Sequence, residues 1–117
     1  MSDTQQYYKV EAYIKPIKIE DVREALLTAG IRGMTVFEVR GTGLQKGRSE
    51  LYRGRDYTVD FLPKLKVEVV VAGKELSDRV SLILNKAART GHVGDGLVTV
   101  SDLNSAIQIV DGQPFQQ

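Results

Sequence analysis

The sequence predicts an α+β protein, specifically a ferredoxin-like sandwich whose elements follow the order βαββαβ. Strand-like alternation and helix-like spacing of apolar residues occur in the order strand, helix, strand, and this order is repeated once. A long, charged and glycine-punctuated segment, 43–64, separates the two units. At 117 residues the chain is expected to form one domain, residues 1–117, in which two helices cover one face of an antiparallel sheet.

The first unit contains a strand at 7–14, a helix that begins near Ile19 and a second strand at 33–41. The alternating residues of the first strand that are predicted to face the core are Tyr8, Val10, Ala12 and Ile14. The helix residues that share one face are Ile19, Val22, Leu26 and Ala29. Pro16 separates the strand from the helix, and Gly30 suits the left-handed position at which helices end.

The second unit has a strand within 58–71, a helix within 74–90 and a strand at 96–103. The strand alternates from Leu65 onwards, and Arg89 is expected in the last turn of the helix. The helix residues predicted to face the sheet are Leu76, Val80, either Ile83 or Leu84, and Ala87. Residues 105–110 are compatible with a short fifth strand, and the tail 111–117 is expected to be flexible.

Composition excludes several classes of protein. The chain has no cysteine, so disulfides and thiolate metal sites are excluded. A net charge of +1 provides no field that would favour nucleic acid. No apolar run is long enough to span a bilayer, and the N-terminus lacks the pattern of a signal peptide. We therefore expect a cytoplasmic protein that neither binds nucleic acid nor inserts into a membrane.

No group of residues predicts catalysis. His92 is the only histidine, and its position in a loop favours a surface residue over a catalytic base. The acidic pair Glu20–Asp21 lies where helix starts favour acidic residues. A small phosphate-handling enzyme of the same fold would need an arginine and an asparagine together, and neither Asn85 nor Asn104 follows a glycine-rich loop convincingly. We therefore expect that the protein is not an enzyme.

Two glycine turns and one loop are candidate binding features. The turns "GTG" at 41–43 and "GDG" at 94–96 expose backbone N–H groups that can bind a phosphate, although such turns are often only tight connections. The mixed charges of the loop favour docking onto a protein partner. The loop residues considered for this role are Arg48, Glu50, Tyr52, Arg53 and Arg55. On the sheet face away from the helices, Tyr13, Phe37 and Val70 predict burial in an oligomer.

Several long blocks in the same order resemble the PII family of nitrogen-regulatory signal-transduction proteins, from about Lys9 to Ile109. The blocks are "IKPIKIEDVREALLTAGIRGMTVFEVRG", "LQKGRSELYRG", "YTVDFLPKLKVEVVV" and "KAARTGHVGDG". The resemblance implies a homotrimer with a projecting loop, the T-loop (residues 43–60), which contacts targets such as ammonium channels or N-acetylglutamate kinase. It also implies ATP or ADP in clefts between subunits, with Mg²⁺ and 2-oxoglutarate at the base of the T-loop.

The resemblance assigns roles to individual positions. Implied nucleotide contacts are Gly33, Met34, Thr35, Gly41, Gly43, Gln45, Glu68, Val70, Gly94, Asp95 and Gly96. Implied 2-oxoglutarate contacts are Gln45, Lys46 and Lys64, and Gln45 would also hold Mg²⁺ when nucleotide is bound. Tyr57 matches a tyrosine that some relatives uridylylate, whereas Arg55 stands where others carry a phosphorylated serine.

Four departures from the family pattern remove charge from the implied nucleotide cleft. Leu97 stands where the family has lysine, and arginine positions are occupied by Leu44, Gln108 and Val110. Tyr13 also replaces a small aliphatic residue beside the adenine pocket. We therefore expect a PII-like regulator whose ATP binding is lost or weakened. The alternative is an ordinary sensor in which Tyr13 stacks on a base and Arg89 supplies a new anion contact.

Overall fold

The computed structural model describes residues 5–42 and 61–117, and within them a four-stranded antiparallel sheet carries two helices on one face. The elements are β1 (Tyr7–Ile14), α1 (Ile19–Thr28), β2 (Thr35–Gly41), β3 (Leu62–Ala72), α2 (Lys74–Ala88) and β4 (Leu97–Leu103). A 3₁₀ turn, Pro16–Lys18, precedes α1. The strand order β2-β3-β1-β4 is that of a ferredoxin-like fold, so the predicted fold class is confirmed.

The predicted alternation of the two central strands is confirmed. β1 and β3 pair antiparallel from Tyr7↔Ala72 to Ile14↔Leu65. The residues that this register turns towards the helices and buries are Tyr8, Val10, Ala12, Ile14, Val67, Val69 and Val71. The opposite side of the sheet, which we call the open face, carries charged and aromatic side chains instead.

Each helix packs the predicted stripe onto this core. Val22 and Leu26 of α1 are buried, as are Val80 and Leu84 of α2. The sequence left Ile83 and Leu84 as alternatives, and the structure buries Leu84 fully and Ile83 partly. Neither helix is long and apolar enough to cross a membrane, within the residues that the structure describes.

Helix α1 ends as its sequence predicts. Gly30 adopts a φ of 88°, and its N–H donates to the Leu27 carbonyl at 2.9 Å. The N–H of Ile31 donates to the Leu26 carbonyl, also at 2.9 Å. These two bonds form the Schellman arrangement that a left-handed glycine permits.

The structure of the C-terminal region, residues 105–117, differs from the predicted short strand and flexible tail. Residues 105–110 do not form a strand: Ile107 makes only an isolated bridge to Pro114, because the chain reverses at Gly112, whose φ is 72°. The tail has tertiary contacts rather than none. The Tyr7 hydroxyl donates to the Phe115 carbonyl at 3.0 Å, and the Gln117 side chain accepts from the Ala72 N–H at 2.8 Å.

Helix α2 ends earlier than predicted. Arg89, which the sequence placed in its last turn, lies just beyond the helix in an extended conformation.

Candidate functional site

The GDG turn at 94–96 is organised around the carboxylate of Asp95. This carboxylate accepts hydrogen bonds from the backbone N–H groups of Thr90 and Gly91, each at 2.8 Å, and from the Thr90 hydroxyl. Lys15, from the segment after β1, forms an ion pair with it at 3.2 Å. The carboxylate that the resemblance assigned to a nucleotide is therefore engaged by its own turn and by Lys15.

These contacts lower the pKa of Asp95. The hydrogen bond from the Thr90 hydroxyl is the largest cause; desolvation opposes it, and the two backbone N–H groups and Lys15 add to it. Each of these groups favours the ionised carboxylate over the protonated one. Asp95 is thus held as an anion that closes the turn.

Replacing Asp95 with asparagine is expected to destabilise the protein at neutral pH. Because the folded-state pKa lies below the unfolded value of about 4, the carboxylate contributes stability above about pH 4 and loses it as the pH falls through the folded pKa. The difference in free energy of unfolding between the native protein and the Asp95→Asn variant should therefore decrease as the pH is lowered. Urea unfolding followed across this pH range measures it.

The matched control for this experiment is Asp102→Asn, which removes an exposed carboxylate from β4. It is expected to leave stability at neutral pH almost unchanged. If the free energies of unfolding of the native protein and the Asp95→Asn variant differ by the same amount from neutral to acidic pH, the charge of the Asp95 carboxylate does not stabilise the fold.

Position 96 requires glycine because the backbone of the GDG turn lies very close to the backbone of β1 at Tyr13. Its φ is 107°, and a Cβ built on it would lie 1.7 Å from the carbonyl oxygen of Tyr13. The sequence suggested that glycine here allows a ligand to approach; in the structure the approaching group is the backbone of β1. The turn is thereby fixed against the strand that carries Tyr13.

Lys64 connects the GDG turn to the two ends of the T-loop. Its ammonium group donates to the Gly94 carbonyl at 2.5 Å. Gly41 and Leu62 are paired at the adjoining ends of β2 and β3, so the chain leaves and re-enters the sheet beside Lys64. The structure therefore brings together Gly41, Lys64 and the GDG turn.

Other predicted site residues are not brought to this place. Thr35 begins β2, roughly 20 Å along the strand from Gly41 at about 3.3 Å per residue, and Gly33 and Met34 precede the strand. The predicted residues that fall in the T-loop lie outside the described part of the chain: Gly43, Leu44, Gln45, Lys46, Arg48, Glu50, Tyr52, Arg53, Arg55 and Tyr57. His92 has an exposed side chain, which agrees with the prediction of a surface residue.

Glu68 belongs to a charged cluster that the sequence analysis missed. On the open face it lies 3.4 Å from Lys66 and 3.9 Å from Lys9, and both lysines also pair with Glu11. A hydrogen bond with Glu68 lowers the pKa of Glu11, against desolvation and with help from the two lysines. The register that sets Glu11 opposite Glu68 would have revealed the cluster.

A cleft of about 260 Å³ lies between the GDG turn, the end of α2 and the edge formed by β1 and β4. Its walls include Tyr13 and Leu97, which are register partners, and Leu97 is 59% exposed. Arg89 is the cationic side chain among the residues that line it, and its guanidinium donates to the amide oxygen of Asn85. The apolar side chain of Leu97 thus occupies the position at which the resemblance places a lysine.

The other two substituted positions that the structure describes, 108 and 110, also bring no positive charge. The Gln108 amide donates to the Asp111 carboxylate at 3.3 Å, and Val110 is 87% exposed. The Lys66 ammonium lies 4.6 Å from the ring centroid of Phe37, a cation–π contact on the open face. The cationic side chains that the structure describes beside the turn are engaged with protein groups: Lys15 with Asp95, Lys64 with Gly94 and Arg89 with Asn85.

The fold and the site define a ferredoxin-like α+β protein in which the base of a long loop meets a glycine turn. The family model described as nitrogen regulatory protein P-II matches residues 7–113. The chain belongs to this family.

Three known proteins illustrate the similarity. A nitrogen regulatory protein P-II from Bradyrhizobium diazoefficiens is 50% identical over 105 residues, which cover 90% of this chain and 93% of that protein. The nitrogen regulatory protein GlnK of Escherichia coli K12 is 53% identical, with coverage of 89% and 92%. The crystal structure of Arabidopsis thaliana PII bound to citrate superimposes with a TM-score of 0.73 at 36% identity, covering 92% of this chain and 87% of that one.

Proposed function

We propose that this protein is a PII-type regulator of nitrogen metabolism, or of linked carbon metabolism, that acts through its T-loop and has lost or weakened ATP binding. The similarity to proteins named as nitrogen regulators supports the first part. The observation that carries the second part is the leucine at 97, which lines the cleft beside Tyr13. The family resemblance places at this position the lysine that would neutralise the triphosphate, and a leucine side chain cannot supply that charge.

The expected loss of affinity follows from the missing cations. A hydrogen bond to a charged group contributes about 1.5–3 kcal/mol, so three lost contacts would remove about 4–9 kcal/mol if they were additive. Neighbouring groups in one site are not additive. Even the low end corresponds to roughly a thousandfold in affinity, which would turn a micromolar site into a millimolar one.

The T-loop is proposed as the partner-binding element because of where it is attached. The strands that precede and follow it, β2 and β3, pair with each other up to Gly41 and Leu62, so both of its attachment points belong to the rigid sheet. The proposed targets are an ammonium channel, a metabolic kinase or another protein of the cytoplasm or membrane. Tyr57 is the proposed modification site, and no catalytic role is assigned to any residue.

The proposed assembly is a homotrimer that buries part of the open face. Phe37 and Leu97 are 41% and 59% exposed at the two ends of one cross-strand row, with Lys66 and Tyr13 between them. Exposed apolar side chains in one row favour contact with another copy of the chain. In the family the nucleotide clefts lie between such copies, which would also bring Gly33–Thr35 of one copy to the GDG turn of another.

Calorimetry tests the proposed loss of ATP binding. Titration of the full-length protein with Mg-ATP, with and without 2-oxoglutarate, is expected to show millimolar or weaker affinity. The same protein on a resin is expected to retain its target from native lysate whether or not Mg-ATP is present. Micromolar binding that 2-oxoglutarate strengthens would contradict the proposal.

The alternative function is an ordinary nucleotide sensor that uses Arg89. The position of Arg89 in the lining of the cleft favours it. In that case binding would be micromolar, and Arg89→Ala would abolish it. The matched variant Arg79→Ala, on the helical face away from the cleft, would leave it intact.

A further inference from the structure

A groove runs between α1 and α2 on the outer surface of the helical layer. It is a shallow groove, largely open to solvent, with a volume of about 730 Å³, and its floor consists of small or medium apolar side chains. The floor residues are Ala25 and Ala29 of α1 and Ile83 and Ala87 of α2, all of them half-buried. Three alanines leave the groove open where larger residues would have closed the space between the helices.

The two walls of the groove carry opposite charge. Asp21 and Glu24 stand on the α1 side, whereas Arg79 and Lys86 stand on the α2 side. Among the residues that the structure describes, Glu24, Arg79 and Lys86 have no oppositely charged group within 4.0 Å, and Asp21 pairs with Lys18 of the 3₁₀ turn that precedes α1. No described ion pair joins the two walls, and their charged side chains are exposed, so both walls can contact a third element.

Exposed leucines extend the apolar surface beyond the walls. Leu27 follows Glu24 by three positions and is 47% exposed. Leu82 follows Arg79 by three positions and is 53% exposed. Residues three or four apart neighbour each other on a helix surface, so each charged wall is flanked by a leucine. The exposed apolar surface therefore continues past the charged walls on both helices.

We propose that this groove binds an amphipathic helix of a partner protein. Its contact face would be small and apolar, with lysine or arginine on the flank along α1 and aspartate or glutamate on the flank along α2. A helix suits the groove because both walls are helices whose backbone groups are already paired, so they offer side chains and no free edge to an extended strand. At 1.5 Å per residue the 10 residues of α1 give a groove of about 15 Å, or roughly three turns of partner helix.

This surface is separate from the T-loop and from the nucleotide cleft. It lies on the helical layer, whereas the proposed trimer contact lies on the open face of the sheet. The groove would therefore stay accessible in the assembly and add a second contact for a target held by the T-loop. Its failure in the test below would leave the proposed function untouched.

A designed peptide tests the proposal. The probe is a fluorescent 14-residue helical peptide with an alanine–leucine face, lysines on one flank and glutamates on the other, arranged to complement the walls. Anisotropy titration against the full-length protein is expected to show saturable binding below millimolar concentration, and amide chemical shifts should move around Ala25, Ile83 and Ala87. Arg79→Glu is expected to weaken binding about fivefold, since one attraction becomes a repulsion.

Two controls distinguish binding in this groove from non-specific binding of the peptide. Arg32→Glu makes the same charge change on an exposed residue outside the groove and should alter affinity less than twofold. A peptide of equal composition with its charged flanks exchanged should bind about fivefold more weakly than the probe. Equal binding of the two peptides, shifts outside the groove or no saturation at millimolar peptide would overturn the proposal. Groove shifts that grow with protein concentration without peptide would overturn it too, by identifying a second copy of the chain as the occupant.

Discussion

Restoring positive charge at three positions is expected to increase the affinity for Mg-ATP by about a thousandfold. The variant combines Leu97→Lys, Gln108→Arg and Val110→Arg. Each change adds a cation that can form a charged hydrogen bond of about 1.5–3 kcal/mol with a phosphate oxygen. Calorimetry should show the native protein at millimolar or weaker affinity and the triple variant at micromolar affinity.

The increase in affinity that the added cations cause should depend on the charge of the nucleotide. The control is the double variant Leu97→Gln and Val110→Gln, which keeps the native Gln108; it changes polarity without adding charge, and its affinity for Mg-ATP should increase less than tenfold. The gain from cations should be smaller for ADP than for ATP and should decrease at high salt, because both reduce the electrostatic attraction. If the charged variant binds ATP no better than the native protein, the missing cations are not what limits the site.

Replacing Gly96 with alanine is expected to destabilise the fold by about 3 kcal/mol or more. The new Cβ would stand 1.7 Å from the Tyr13 carbonyl oxygen, in a backbone conformation with φ of 107° that other residues rarely adopt. The atom that it meets belongs to the backbone of a central strand, so it cannot move aside as a flexible side chain would. Urea unfolding measures the change, and the turn is expected to move away from β1.

Two other glycines serve as controls because they separate the contact from the conformation. Gly91 has a φ of 86° but open space around its Cβ position, so Gly91→Ala should cost about 1 kcal/mol. Gly33 has open space and an ordinary φ, so Gly33→Ala should be nearly neutral. Equal destabilisation by Gly96→Ala and Gly91→Ala would show that the contact with Tyr13 is unimportant.

The sequence by itself determined the fold class, the stripes of the helices and the buried face of β1 and β3. These follow from periodicity, which depends only on residues close together in the chain. It also located the end of α1, because a left-handed glycine closes a helix through local hydrogen bonds. The resemblance to the family named the T-loop and assigned roles to individual positions, and the structure supplied the contact between Lys64 and the GDG turn.

Only the tertiary structure decided how distant segments use their polar groups. Asp95 is engaged by Lys15, 80 positions earlier, and Gln117 bonds to the backbone of Val70 and Ala72, which makes contacts for a tail expected to be flexible. The groove between α1 and α2 likewise depends on how two helices from different units pack. Hydrogen bonds and ion pairs of this kind require the register and packing of the whole chain, which no local pattern encodes.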